Sequence, residues 1–390
     1  MTSRERVRIA MRLGEPDRVP VMCQLALGHY FLRSGLDPIE IWQSTEGFGD
    51  ALIRLQRRYG FDGILVNLPG RDPDWRRWVD RIEERTGRTV IRWRNGWYTA
   101  APPDDVPHVF RPDGSRPIRR MADIDPESLF YVEPHAIGGP ACPFAWGFDE
   151  EPRRTFPPYQ YDTITYVLAR AGDVSIHAEL FSPFSQLLEL VEYTDALMAL
   201  VDNPGKVKAC LNALADGAIE LGRGQAQAGA DAILISSAFA GAGFISPRHY
   251  REFVLPFERK VIDGIRARYD IPIYTHTCGA IGDRLELMAE TGTSGIDTLD
   301  PPPLGTVDLS AAREQTRGRL FIKGNVDPVN TMLMGGRDDV VAAARERILT
   351  AGPGGGYILS TACSVPPAAP PENIQALVEA AEMFGQYPIA

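Results

Sequence analysis

His276 and Cys278 stand two residues apart in the run Ile271-Pro-Ile-Tyr-Thr-His-Thr-Cys-Gly279, and Cys363 closes a second short apolar run, Tyr357-Ile-Leu-Ser-Thr-Ala-Cys363. On a strand, residues i and i+2 point to the same side, so His276 and Cys278 can grip one ion together. One imidazole and two thiolates suit zinc, and three protein ligands leave one position for a substrate atom. Thiolate donors blunt the power of zinc to activate water but allow it to hold a substrate sulfur in its deprotonated form, well below the free-thiol range of about pH 8.5. That chemistry favours alkyl transfer over hydrolysis.

Taken singly, His276 reads equally well as a hydrogen-bonded core histidine, and each cysteine as a small buried hydrophobe. It is their joint occurrence at the ends of two strand-like segments that favours a metal. The fourth position is open between Asp300 and Glu179, either as ligands or as hydrogen-bonding neighbours with a catalytic role.

The elements that must carry these residues alternate regularly. Strand-like segments fall at 19–25, 63–68, 175–180, 232–237, 271–278, 295–300, 320–326 and 357–363. Amphipathic helical stretches near 185–201, 204–228, 247–268, 281–291, 308–316, 337–350 and 371–385 separate or follow them. Asn203-Pro204 and Ser246-Pro247 place proline at a first helical position. Eight strands alternating with helices predict an α/β fold, a single (β/α)8 TIM barrel spanning 1–390. The alternation breaks between 70 and 160, where 89–99 reads as a β-hairpin turning on Asn95-Gly96 amid proline and aromatic residues. We read 70–160 as an insertion, a lid over the C-terminal mouth. Its tryptophans (Trp75, Trp78, Trp93, Trp97, Trp146) supply either the core of that lid or a pocket for a ring-bearing substrate.

In such barrels chemistry sits where strands end. The polar strand ends here include Gln24, Asn67, His177, Glu179, Ser236, His276, Asp300, Asn325 and Cys363. Asn67, His177 and Asn325 among these, together with His29, Tyr30 and Tyr274 as weaker pocket residues, are the substrate-binding candidates. Each of His29, Tyr30, His177 and Tyr274 reads equally as a polar group satisfied in the core.

Composition narrows the class. The net charge of -10 and the lack of any basic stripe argue against nucleic acid. No apolar run reaches the ~18 residues of a membrane span, and the N-terminus lacks a secretory segment. Five cysteines in 390 residues point to a reducing cytoplasm and not to a disulfide framework. Gly352-Pro-Gly-Gly-Gly356 lacks the Lys-Ser/Thr of a phosphate loop.

Several motifs then converge: Pro16-Asp-Arg-Val-Pro20, Gly229-Ala-Asp-Ala232, His276-Thr-Cys-Gly279, Gly324-Asn-Val-Asp-Pro328, and Gly355-Gly-Tyr-Ile-Leu-Ser360 followed by Cys363 and Pro371-Glu-Asn373. Over essentially its whole length the chain resembles the uroporphyrinogen decarboxylase superfamily, and within it the zinc-dependent, corrinoid-linked methyltransferases. The resemblance implies that His276, Cys278 and Cys363 are zinc ligands, and cobalamin-independent methionine synthases would add an acidic ligand at Asp300. It implies methyl exchange between the corrinoid (methylcobalamin) of a partner protein and a small substrate, either a thiol acceptor or an O- or N-methyl donor, and a homodimer. No cobalamin-binding signature lies in the chain, so the corrinoid is expected on a separate protein. The decarboxylase branch fits less well, because Cys23–Tyr30 holds no arginine and Asn67 stands where those enzymes carry an aspartate. Porphyrinogen decarboxylation and a non-catalytic binding barrel are the competing readings.

Overall fold

The computed structural model describes residues 1–133 and 154–389. Trp146 and the prolines between 134 and 152 lie outside the described residues. The central sheet is seven-stranded and wholly parallel. It runs in the order β1 (Gly63–Val66), β6 (Ser175–Phe181), β7 (Ala232–Ser236), β8 (Ile273–Thr277), β9 (Gly295–Thr298), β10 (Phe321–Val326) and β11 (Tyr357–Thr361). Every residue of these strands is buried. That double-sided burial explains why they read as nearly continuous apolar runs, with helices covering the outer face.

The segment predicted as the first strand is less regular than expected. Residues 19–25 form only isolated bridges, Val21 with Leu359 and Leu25 with Val365. Pro20 has no N–H to give a ladder, yet its carbonyl accepts from Leu359, while Val21 O accepts from Asp62 N at 2.8 Å. The segment thus joins β11 to the residue that precedes β1. Asp62, fully buried, takes the place of a ladder partner: its carboxylate accepts from Val21 N at 2.8 Å, Arg6 Nη1 at 2.6 Å and Arg18 Nη1 at 2.8 Å. Arg6 also pairs with Asp17, so Pro16-Asp-Arg-Val-Pro20 is a structural clasp.

Below the sheet, the helix Ser3–Met11 presents Val7, Ala10 and Met11 to Met22, Leu65, Ala232, Leu234, Tyr274, Phe321 and Ile358. These residues close the N-terminal end of the strands with a packed apolar layer. His276, Cys278 and Cys363 lie toward the other end.

Between β1 and β6 comes an antiparallel meander of four strands, larger than the hairpin expected: β2 (Val79–Arg85), β3 (Arg88–Trp93), β4 (Tyr98–Ala101) and β5 (His108–Phe110). Asn95-Gly96 does make a turn, but a bulged one. Gly96 sits at φ +87°, and Trp93 exchanges bonds with Gly96 and Trp97. Trp75, Ile91 and Trp93 form a small core of their own. The meander and its flanks touch the rest of the fold at the helix Leu27–Arg33, where a Cβ on Gly28 would meet Asp104 O at 1.9 Å, and at Leu190, whose carbonyl accepts from Arg119 N.

Two expected helices are each split. Residues 185–201 become Pro183–Leu190 and Tyr193–Asp202, with Glu192 accepting from Asp195 N to start the second. Residues 247–268 become Pro247–Phe253 and Leu255–Arg266, because Pro256 cannot donate to the preceding turn. No described helix is long and apolar enough to cross a membrane.

Candidate metal centre

His276 belongs to β8, and Cys278 follows one residue beyond its end. Cys363 lies two residues past β11. The chain folds these distant segments onto one point. Cys278 Sγ is 3.3 Å from His276 Nε2 and 3.6 Å from Cys363 Sγ, and the three donor atoms lie within 4.8 Å of one another. His276 is buried and both cysteines are half-buried, so the cluster is sheltered yet reachable.

Orientation of the imidazole comes from residues the sequence analysis passed over. His276 Nδ1 donates to Asp297 Oδ2 at 3.1 Å, and Lys323 Nζ donates to Asp297 Oδ1 at 2.8 Å. All three side chains are almost wholly buried. With Nδ1 committed to Asp297, Nε2 is the nitrogen offered to the sulfurs, an arrangement that fixes tautomer and ring angle. A sequence signal existed: Asp297 and Lys323 are opposite charges within buried runs predicted as neighbouring strands.

Electrostatics tie the cluster together. Burial disfavours a charged His276, but the Asp297 carboxylate and Cys363 sulfur outweigh it and push the imidazole up to about 10. Asp297 is held down at about 2 against its burial, by Lys323 and then His276. The bond from Cys278 holds the Cys363 thiol well below its ordinary range, aided by His276, while the same bond and burial push Cys278 up. Without a metal the trio thus shares protons as an imidazolium–thiolate pair with a neighbouring thiol. A soft divalent cation would displace those protons and meet three donors already pointing inward. The donor set therefore fits zinc.

Asp300 and Glu179 are near but outside this trio. Asp300 Oδ2 accepts from Gly279 N at 2.6 Å, and burial raises its carboxyl to about 6 against that bond. Ahead of it, Thr298 at φ +85° and Leu299 at φ +59° take a left-handed turn that is unfavourable for side-chain-bearing residues. Glu179 Oε2 has no hydrogen-bond partner, and burial raises this carboxyl to about 7, opposed by His276 and Ser236.

The six substrate candidates separate. Asn67 Oδ1 and Asn325 Oδ1 are buried without partners, although Asn325 Nδ2 donates to Leu299 O at 2.8 Å. Asn67 and Glu179 line one small polar cavity with Gln160 and Gln225. His177 and Tyr274 bond to each other at 2.8 Å, with Ser175 on the other His177 nitrogen, and Tyr274 belongs to the apolar floor. His29 donates to the Pro366 and Pro367 carbonyls and accepts from Tyr59 at 2.7 Å, tying helix to loop. Tyr30 packs edge-on against Phe48 in the core. The structure brings Asn67 to Glu179; His29, Tyr30, His177 and Tyr274 are occupied in packing.

Residues 149–384 match the family profile of uroporphyrinogen decarboxylase (URO-D), well over half of the chain. The chain belongs to the uroporphyrinogen decarboxylase family. Among curated relatives, a uroporphyrinogen decarboxylase of Thioalkalivibrio sulfidiphilus is 31% identical over 189 residues, 48% of this chain and 51% of that protein. Methylcobamide:CoM methyltransferase MtbA of Methanosarcina acetivorans is 30% identical over 178 residues, 46% of this chain and 49% of that protein. The chain spans about half the length of the curated relatives it matches. In three dimensions it resembles a methyltransferase from Methanosarcina mazei with a TM-score of 0.69 at 20% identity, covering 98% of this chain and 99% of that one. A B12-independent methionine synthase from Shewanella follows at 0.54 and 13%, covering 94% and 97%. At these identities the likeness is one of fold.

Proposed function

We propose that this family member is a zinc-dependent methyltransferase, exchanging a methyl group between a corrinoid protein and a small substrate, which is a thiol acceptor or an O- or N-methyl donor. The observation that carries this reading is the convergence of His276 Nε2 with the sulfurs of Cys278 and Cys363. Zinc, when bound, supplies a Lewis acid that engages the sulfur, oxygen or nitrogen between which and cobalt the methyl group moves.

The chain's own residues prepare that position. Asp297 and Lys323 hold the imidazole. Asp300, anchored on Gly279 N, and Glu179, neutral or charged near pH 7, are the groups that carry the substrate heteroatom's proton. Asn67 and Asn325 offer unpartnered oxygens for orienting the substrate. Residues 70–160, of which 134–153 lie outside the described residues, act as a lid within a single barrel domain. Free thiols at Cys23, Cys210, Cys278 and Cys363 suit a reducing cytoplasm. The corrinoid arrives on a partner protein, and the assembly is a homodimer.

Metal analysis tests the centre: near-stoichiometric zinc is expected in the purified protein and its loss in Cys278→Ser/Cys363→Ser. Cobalt absorbance tests the transfer, by mixing methylcobalamin with a panel of thiols, or cob(I)alamin with methyl ethers. Porphyrinogen decarboxylation, the activity named for the Thioalkalivibrio relative, predicts carbon dioxide release independent of zinc.

A further inference from the structure

A small polar cavity of about 20 Å3 lies where β1 and β6 end, with room for one water-sized occupant and for no organic substrate. Val66 of β1 pairs with Ala178 of β6, so the next residues along, Asn67 and Glu179, stand side by side. Gln160, just before the helix Asp162–Leu168, and Gln225, near the end of the helix Pro204–Gln227, join the lining, with Ile164 and Leu221 as apolar wall. Gly70 N donates to Gln160 O at 3.0 Å, and a Cβ on Gly70 would meet Tyr159 O at 1.8 Å. The loop after β1 is thus seated tightly on the loop that carries Gln160.

Four oxygens of the lining residues, Asn67 Oδ1, Gln160 Oε1, Glu179 Oε2 and Gln225 Oε1, have no hydrogen-bond partner among the described residues. The residues that carry them are between 4% and 8% exposed. Gln225 cannot exchange its oxygen for its nitrogen without loss, because Nε2 donates to Glu179 O at 2.6 Å. Buried acceptors left unpaired are costly, and four around one cavity call for a shared partner. A water has two protons to give and a protonated Glu179 has one, so even together they leave one oxygen unserved. A cation meets every oxygen at once. Oxygen donors select hard cations, and one carboxylate with three neutral amides matches a single positive charge. Glu133 also lines the cavity but has an interaction of its own.

We propose that this cavity is an alkali-metal site, holding one Na+ or K+ between Asn67, Gln160, Glu179 and Gln225. It is distinct from the candidate zinc centre, whose donors are nitrogen and sulfur, although His276 and Ser236 also act on the Glu179 carboxyl. The ion ties the loop after β1 and the helix Pro204–Gln227 to β6, and so holds Glu179 in place beside that centre. An oxygen carries more than one lone pair, so the ion leaves Asn67 and Glu179 able to meet the substrate as well.

The experiment transfers the full chain into tetramethylammonium chloride, whose cation is too large for the cavity. Sodium, potassium, calcium and magnesium chloride are then titrated in at constant ionic strength while thermal unfolding is followed. Sodium or potassium is expected to raise the midpoint, as mass action requires for an ion bound by the folded chain alone. Gln160→Met nearly keeps the volume and removes one oxygen. It is expected to raise the alkali concentration needed for the same effect by about tenfold or more, as loss of a charge-assisted contact should. Gln225→Met, which also gives up the bond to Glu179 O, should do the same. Cys278→Ser/Cys363→Ser should keep the response, so a failure of the zinc reading shows in the zinc content and leaves this result intact. The proposal is overturned if neither alkali ion stabilises the chain more than tetramethylammonium does, which would leave a buried water as the occupant. It is equally overturned if only calcium or magnesium stabilises, or if both glutamine variants respond as the unaltered chain does.

Discussion

The Asp297 carboxylate accepts the Nδ1 proton of His276 at 3.1 Å while its other oxygen takes Lys323, so a buried ion pair sets the angle at which His276 faces the two sulfurs. Asp297→Asn keeps the shape and removes the charge. Zinc affinity is expected to fall about 10- to 100-fold by chelator competition. Leaving Lys323 buried and unpaired also costs about 3–5 kcal/mol in denaturation. Asp297→Asn/Lys323→Met should regain much of the stability without regaining the affinity. Undiminished zinc binding in the single variant would remove Asp297 from the centre.

Thiol reactivity offers a second check. In metal-free protein the Cys363 thiol is held low by Cys278 and His276, whereas burial pushes up Cys23, and Cys210 to about 11. Iodoacetamide followed by mass spectrometry should therefore label Cys363 first and Cys278 more slowly. Cys23 and Cys210 should be labelled only on unfolding. Added zinc should protect the first two. Equal labelling with and without zinc would contradict the assignment of these sulfurs as ligands.

A pH dependence of stability follows from Glu258, which is fully buried and 3.3 Å from the Tyr250 hydroxyl. Burial raises its carboxyl from 4.5 to about 7, against Ser237 and Tyr250. Below the lower value both folded and unfolded chains hold the proton; between the two only the folded chain does. Its contribution is thus lost as pH rises toward 7, on the order of 3 kcal/mol for the full shift. Urea denaturation at pH 5 and pH 8 should show Glu258→Gln losing less stability over that interval than the unaltered chain. Identical losses would exclude Glu258 as the source.

Tyr274→Phe distinguishes packing from substrate binding at the apolar floor below the parallel sheet. Removing the hydroxyl leaves His177 Nδ1 buried without its 2.8 Å partner, a loss of about 1–3 kcal/mol. Zinc content and ligand titrations should stay as they were. A stable variant with weakened ligand binding would return Tyr274 to the substrate site.

Much of this was written in the linear chain. The seven buried strands announce themselves because a strand covered on both faces must be apolar at nearly every position. His276 and Cys278 are legible as a pair because a two-residue spacing on a strand has only one geometric consequence. Other features had no local signature. That Asp62 bonds Val21 N in place of a ladder partner and that Asp297 meets His276 both depend on strand register, whereas Cys363 already stands out in the sequence as the third soft donor. Register is set by how the whole sheet curls and packs, which no short segment can encode. The same is true of His29, His177 and Tyr274: their types suggested chemistry, but their partners, distant in sequence, hold them in the packed interior.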